Sequence, residues 1–221
     1  MSPLPKRERE RKWGEGQVRR PSALHPDAEH WNARYSQERD YFLQRQPYEL
    51  VRTHADLLRV GGVVLDAAAG VSPLGLFLSG RGLKVVALDI SLPALCIARA
   101  RFKAQGHQFS GAVVDLANSW LPVDYFDAVM NFYFLSRPLL ALYRTAIRPG
   151  GLLFCEMLLW DGNLGARRDH YLLSGELEHI FADWRIIFSA EKWKHGRKSF
   201  AGPRKTVQLI AQRPNERESN K

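Results

Sequence analysis

No run of about eighteen apolar residues occurs, so the chain offers no candidate membrane-spanning helix. The N-terminus, MSPLPKRERERKWGEG, lacks the apolar core of a secretory signal, and a cytoplasmic location is expected. Cysteine is scarce. Cys96 and Cys155 each sit inside an apolar run, which fits small hydrophobic packing in a reducing compartment better than a disulfide. The seven histidines lack zinc-ligand spacing, and neither a P-loop nor a nucleophile-elbow sequence is present. These absences set aside zinc chemistry, P-loop phosphoryl transfer and serine or cysteine nucleophiles, and no metal is expected.

What is present is enough for one buried α/β domain with some length left over: 221 residues, 45% of them hydrophobic and 25% charged. The net charge of +9 is unevenly spread. Residues 1–20 hold seven Lys/Arg against three Asp/Glu, and residues 190–221 hold nine against three; residues 21–189 keep sixteen against seventeen. The body is near neutral and the ends are basic. Basic ends can hold nucleic acid or an acidic partner, or can simply be solvated. Residues 1–25 and 214–221 carry too few apolar side chains to order themselves and are expected to be disordered tails around a domain at 26–213.

From Asp27 to Phe42 the pattern predicts a helix with Trp31 and Tyr35 on one face. Pro47 opens a second, with Leu50, His54 and Leu57 on one face and Val51, Ala55 and Leu58 on the next. After Gly61-Gly62, strand-like VVLDA, KVVALDI, QFSGAVVDL, YFDAVMNF and GLLFCEMLL alternate with helix-like SPLGLFLSGRG, SLPALCIARARFKAQG and RPLLALYRTAIRPGG. This alternation favours a mostly parallel sheet with helices on both faces. SGELEHIFA reads as a helix opened by Ser174. DWRIIFSAEKW and RKTVQLIAQ, joined by a basic loop with Gly196 and Gly202, read as a hairpin, which makes seven strands with an antiparallel strand at the sheet's end.

The most informative stretch is Val63 to Pro73, VVLDAAAGVSP. A buried strand runs into a tight turn of small residues, and Ser72 and Pro73 are the residue types of a helix N-cap and first position. Asp89 ends the next strand, where a carboxylate can accept both hydroxyls of a ribose or can cap the helix that begins near Ser91. Asp115 follows Ala112-Val113-Val114, so three carboxylates reach one rim of the sheet.

On these residues the chain resembles the class I S-adenosylmethionine (SAM)-dependent methyltransferases over about residues 28–213. The family's turn is D/E-x-G-x-G-x-G; here Asp66, Ala68, Gly70 and Ser72 stand at the four positions. The resemblance implies a single Rossmann-like α/β domain and SAM as cofactor. Asp66, Ala67, Ala68 and Gly70 would hold its methionine end, Asp89 with Ile90 beside it the ribose, and Asp115 with Leu116 the adenine. Asn131 falls where the family often contacts cofactor and substrate. Arg148-Pro149-Gly150-Gly151 looks like the family's entry to its fifth strand. Trp31-x-x-x-Tyr35 is similar to the helix that closes over SAM in the tellurite-resistance and thiopurine-type branch, although aromatic residues at this spacing also simply pack. A dinucleotide enzyme fits less well, since Pro73 stands where G-x-G-x-x-G needs its third glycine.

The candidate acceptor-side residues are Trp31, Tyr133, Arg137, Glu156 and Asp161, with Trp160 and Tyr171 on the same rim; equally, Phe132, Tyr133 and Phe134 can merely wall the pocket. No catalytic base is assigned, because a sulfonium is already a good leaving group. A compact aromatic rim favours a small-molecule methyl acceptor. RNA or protein methylation through the basic ends, and a non-catalytic scaffold, are the alternatives.

Overall fold

The computed structural model describes residues 25–160, 162, 168–194 and 203–215. Apart from His25, Pro214 and Asn215, the two expected tails lie outside the described residues, as do Asp161, Gly196 and Gly202.

Pro26 and the acids Asp27 and Glu29 in the first turn favour the start of α1 (Pro26–Gln37). The single helix expected up to Phe42 is broken at Glu38, whose carboxylate forks onto Arg34 at 3.0 and 2.9 Å, and α2 (Arg39–Leu43) follows. The next helix is also shorter than its periodicity suggests. α3 (Glu49–Thr53) passes into a 3-10 turn at Ala55–Leu57 as the His54 ring bonds the Leu50 carbonyl, so Leu57 faces solvent while Val51, Ala55 and Leu58 are buried.

The remaining elements are β1 (Val63–Ala67), α4 (Pro73–Gly80), β2 (Lys84–Asp89), α5 (Leu92–Ala104), β3 (Ser110–Val113), β4 (Phe126–Phe132), α6 (Arg137–Ala146), β5 (Ile147–Leu158), α7 (Glu176–Ile180), β6 (Arg185–Lys194) and β7 (Arg204–Gln212). The seven strands form one sheet in the order β3-β2-β1-β4-β5-β7-β6. β1 to β5 are mutually parallel, and β7 is antiparallel to both β5 and β6. This is a Rossmann-like architecture in a single α/β domain.

Four details differ from the sequence reading. The antiparallel strand is one position inside the edge, because β6 takes the edge and runs with β1–β5. β3 is exposed along its whole length, since it forms the other edge. β5 begins at Ile147, so Arg148 to Gly151 lie within the strand, beside a register shift between Phe126 and Ala128. α7 opens on Gly175 in the left-handed region (φ 75°), and the Ser174 hydroxyl instead donates to Glu191 at 2.7 Å.

Alternation along the strands splits the core in two. Leu65, Val129, Leu153 and Cys155 face α6 and α7 through Leu140, Tyr143 and Leu177. Val64, Met130, Phe154 and Ile210 face α3 and α4 through Leu50, Val51, Leu74 and Leu78. Cys155 is thus the small hydrophobe expected, whereas Cys96 on α5 is exposed. Among the described residues no helix is long and apolar enough to cross a membrane.

At the N-terminal edge of the sheet Asp127 joins three strands. It accepts the Val63 N–H at 2.6 Å and pairs with Arg148 at 2.9 Å. Gly62 lies against it so closely that a Cβ would come within 3.0 Å of the carboxylate. Asp127→Ala strands a backbone donor and a half-buried guanidinium, which costs about 2 kcal/mol, or roughly 4–8 °C of Tm in a domain of this size. Thermal unfolding should show this loss with SAM affinity unchanged, because the opposite edge carries the site.

Candidate functional site

The turn from β1 into α4 has an alternating backbone. Ala68 (φ 53°), Gly70 (φ 55°) and Ser72 (φ 47°) are all left-handed, at the three positions where glycine is the least strained residue. An L side chain costs about 1–2 kcal/mol in this region, so Ala68 and Ser72 are held there by their surroundings. The Ala69 N–H donates to the Leu88 carbonyl at 3.0 Å, and the Ser72 N–H to Ala69 at 2.8 Å. The Ser72 hydroxyl donates to Asp66 at 2.6 Å, with both side chains buried. Ser72 is therefore at the N-cap position but does not cap α4; its side chain turns inward. Gly75 makes room for this pair, since a Cβ there would sit 2.2 Å from the Ser72 oxygen. Burial pushes the Asp66 carboxyl up to about 7; the Asp89 charge adds to the rise, and the Ser72 hydroxyl and Gly75 N–H oppose it.

Asp89 braces the same turn from the end of β2. One carboxylate oxygen accepts the Gly70 N–H at 2.7 Å and the other the Ser91 N–H at 2.8 Å. Burial raises its pKa, and these backbone bonds oppose the rise. Asp89 thus supports the helix entry, and with the Ile90 N–H also bonded to it the carboxylate retains one lone pair that could accept a ribose hydroxyl. Tyr35 covers the turn: it is buried, and a Cβ on Gly70 would lie 2.3 Å from its phenol oxygen. Its ring packs on Phe42 at 4.3 Å and on Trp31 at 5.8 Å, so Trp31 supports Tyr35 from behind.

A cleft opens over this turn, lined by Asp66 to Val71, Pro73, Leu74 and Phe132 below and by Tyr35, Phe42, Arg45, Gln46 and Tyr48 above. It sits at the carboxyl ends of β1 and β4, the switch point of the sheet, where ligands bind in open α/β folds. Tyr48 stacks on Phe132 with ring centroids 3.9 Å apart and planes 5° from parallel.

Beyond Phe132 the register sets Glu156 and then Gln208 side by side. Glu156 is fully buried and accepts from Gln208 Nε2 at 2.7 Å, from the Tyr133 hydroxyl and from the Lys194 ammonium. Lys194 Nζ is also 3.3 Å from the Tyr133 oxygen. Tyr133 reaches Glu156 from a left-handed backbone (φ 65°), which its N–H bond to the Glu156 carbonyl at 2.8 Å helps to hold. Burial and the Glu156 charge push the phenol's pKa up, so Tyr133 stays protonated and donates.

The other sequence candidates lie apart from the cleft lining. Asn131 is fully buried, and its amide donates to the Phe134 carbonyl at 3.0 Å, fastening the loop after β4. Asp115 accepts from Ala117 N–H at 3.0 Å and from Asn118 at 2.7 Å; Leu116 is core, and Ile90 is half-buried just past Asp89. Arg137 forks onto Glu176 at 2.7 and 3.1 Å and donates to the Tyr171 carbonyl at 3.1 Å, so it ties α6 to the segment before α7. Trp160 and Tyr171 meet edge to face at 6.0 Å. Sequence reasoning missed Phe42, Arg45, Gln46 and Tyr48 in the cleft, and Gln208 and Lys194 around Glu156. A polar Gln208 within apolar β7 was the one visible signal.

Residues 64–151 match a family model described as a methyltransferase domain. Residues 64–151 thus read as a methyltransferase domain, on a fold shared with SAM-dependent methyltransferases. Its structure is similar to TehB from Haemophilus influenzae, with a TM-score of 0.68 at 17% identity over 83% of this chain and 67% of that one. It is similar to a SAM-dependent methyltransferase from Methanosarcina mazei, with a TM-score of 0.62 at 17% identity over 78% of this chain and 100% of that one. A third similar structure is the magnesium protoporphyrin IX methyltransferase from Synechocystis with bound SAH, with a TM-score of 0.62 at 16% identity over 85% of this chain and 97% of that one. No curated protein matches the chain.

Two outcomes follow from the methyltransferase turn. Ala68→Gly relieves a left-handed alanine, and a gain of about 1 kcal/mol should raise Tm by roughly 2–4 °C. For Asp66 the folded pKa lies above the unfolded 3.8, so folding takes up a proton between about 4 and about 7 and the carboxyl's contribution falls as pH rises through that window. Asp66→Asn removes the effect. Its stability relative to the parent should climb with pH across the window by up to about 4 kcal/mol and level off above it, as read by urea unfolding at several pH values.

Proposed function

We propose that the domain methylates a small-molecule acceptor held between the Asp66–Ser72 turn and the Tyr133–Glu156 cluster. The observation that carries this reading is the shape of the cleft: α1, α2 and the Arg45–Tyr48 loop roof the turn, and stacked Tyr48 and Phe132 wall it. Such a roofed aromatic space suits a compact acceptor better than a nucleic-acid helix, which needs a broad basic face. Pairing of Lys194 with Glu156 and of Lys205 with Glu191 also spends part of the charge that an RNA reading would use.

Bound SAM supplies an electrophilic methyl group on a sulfonium leaving group. This chain's tasks are therefore positioning and exclusion of water, which can supply roughly 7–11 kcal/mol of barrier lowering. Asp66 with the backbone of Ala67, Ala68 and Gly70 would hold the methionine end, and Asp89 the ribose hydroxyls. Asp115, Leu116 and Ile90 would flank the adenine. Tyr35 shields the turn from solvent. A cationic ammonium beside Asp66 favours its ionised form, so cofactor binding should strengthen as pH rises through about 7. Tyr133, fixed by Glu156 and Lys194, would orient the acceptor. Arg137 and Asn131 are assigned to holding loops. The domain is taken as residues 26–213 of a cytoplasmic protein, with the basic ends left to tune a partner.

Isothermal titration tests the cofactor assignment. Asp89→Ala should weaken SAM about tenfold or more, since charge-assisted hydrogen bonds are lost and the Gly70 N–H is left bare. Unchanged affinity in a folded variant would reject the ribose role. Transfer of tritiated methyl from SAM into fractionated cell extract tests the acceptor: label should enter small molecules, and label confined to RNA or protein would overturn the proposal.

A further inference from the structure

Among the described residues, the cleft lining holds a cation with no carboxylate partner. Arg45 sits in the loop between α2 and α3, half-buried, with its guanidinium 6.0 Å from the Phe42 ring centroid. Among the described residues no carboxylate stands within ion-pairing distance of it. Of the other partly buried cations, Arg34, Arg148, Lys194 and Lys205 pair with Glu38, Asp127, Glu156 and Glu191, while Arg101, which donates to the Val71 carbonyl, and Lys192 do not line the cleft. Nor can the nearby acids readily turn to it: Asp66 holds Ser72, Asp89 holds Gly70 and Ser91, and Glu156 holds three donors. Arg45 lines the cleft together with Tyr35, Tyr48 and Phe132, opposite the turn at Asp66 to Val71.

We propose that Arg45 makes the cleft selective for an acceptor that carries an anionic group, a carboxylate or phosphate, on a planar body. This rests on the cleft being the methyl-transfer site. A guanidinium fork matches a carboxylate or phosphate with two parallel N–H donors, and partial burial strengthens the match. The planar body follows from the wall beside it. Tyr48, parallel to Phe132 and 5.9 Å from Tyr133, offers flat apolar surface next to the fork. An acceptor of this kind would neutralise Arg45 while its body lies along the rings. A neutral acceptor would leave the guanidinium desolvated without a partner.

The test uses full-length protein saturated with SAH, with benzoate as probe and benzamide as its neutral counterpart, followed by ligand-observed NMR titration. Benzoate should bind about tenfold or more tighter than benzamide. Arg45→Met keeps the packing on Phe42 and should reduce that preference to less than about twofold, with Arg45→Lys in between. SAH affinity by calorimetry should be the same in all three proteins. Equal binding of the two probes to the parent, or a preference that survives in Arg45→Met, overturns the inference. So does an Arg45→Met protein that loses SAH affinity while keeping affinity for 5′-methylthioadenosine, which has no carboxylate, because the fork would then belong to the cofactor. Absence of SAH binding to the folded parent would instead bring down the functional reading, and this inference with it.

Discussion

The hydrogen bond from the Ser72 hydroxyl to the buried carboxylate of Asp66 is the contact on which the cofactor half of the molecule rests. It links the last turn of a central strand to the first residue before α4, and it holds Ser72 in a backbone region that serine rarely occupies. With Ser72 turned inward, Pro73 can start α4 at an angle that brings Leu74 and Leu78 onto Val64 and Met130. The same inward turn demands a glycine at 75. Asp89 braces the far side of the loop through Gly70, so two carboxylates secure alternate residues of one turn. Burying both acids is unfavourable in itself, and the energy is recovered only because each oxygen finds a nearby donor.

A second anchor lies beyond Phe132. Glu156 gathers Tyr133 from the loop after β4, Gln208 from β7 and Lys194 from the end of β6 around one buried carboxylate. The two anchors lie on the same face of the sheet, separated by the Tyr48–Phe132 stack. The cleft thus has a fixed polar turn at one side and the rings of Tyr48 and Phe132 at the other, with the Glu156 cluster beyond them.

The β1–α4 turn was legible in the sequence because its grammar is local. Asp66, Gly70, Ser72 and Pro73 fall within eight residues, and Asp89 follows at the end of the next strand. The strand-helix alternation was legible for the same reason, since period and turn residues report on short windows. The inward turn of Ser72 was not, because an N-cap serine and an inward serine look alike until the backbone dihedral is known. Lys194 and Gln208, the partners of Glu156 beyond Tyr133, escaped notice for a different reason: they lie 38 and 52 residues from it, and only strand order and register bring them together. Arg45 and Tyr48 belong to a short link between helices with no periodicity to mark them.

The place of β7 in the sheet bears on how the molecule is assembled during synthesis. β6 leaves the ribosome before β7 but can join the sheet only through it, because β7 lies between β5 and β6. Pairing at that end therefore waits for the last strand, whereas β1 to β5 can associate in the order in which they emerge. Glu156 acquires Gln208 and Lys194 only at that final step. A nascent chain would thus complete the β1–α4 turn well before the cluster around Glu156.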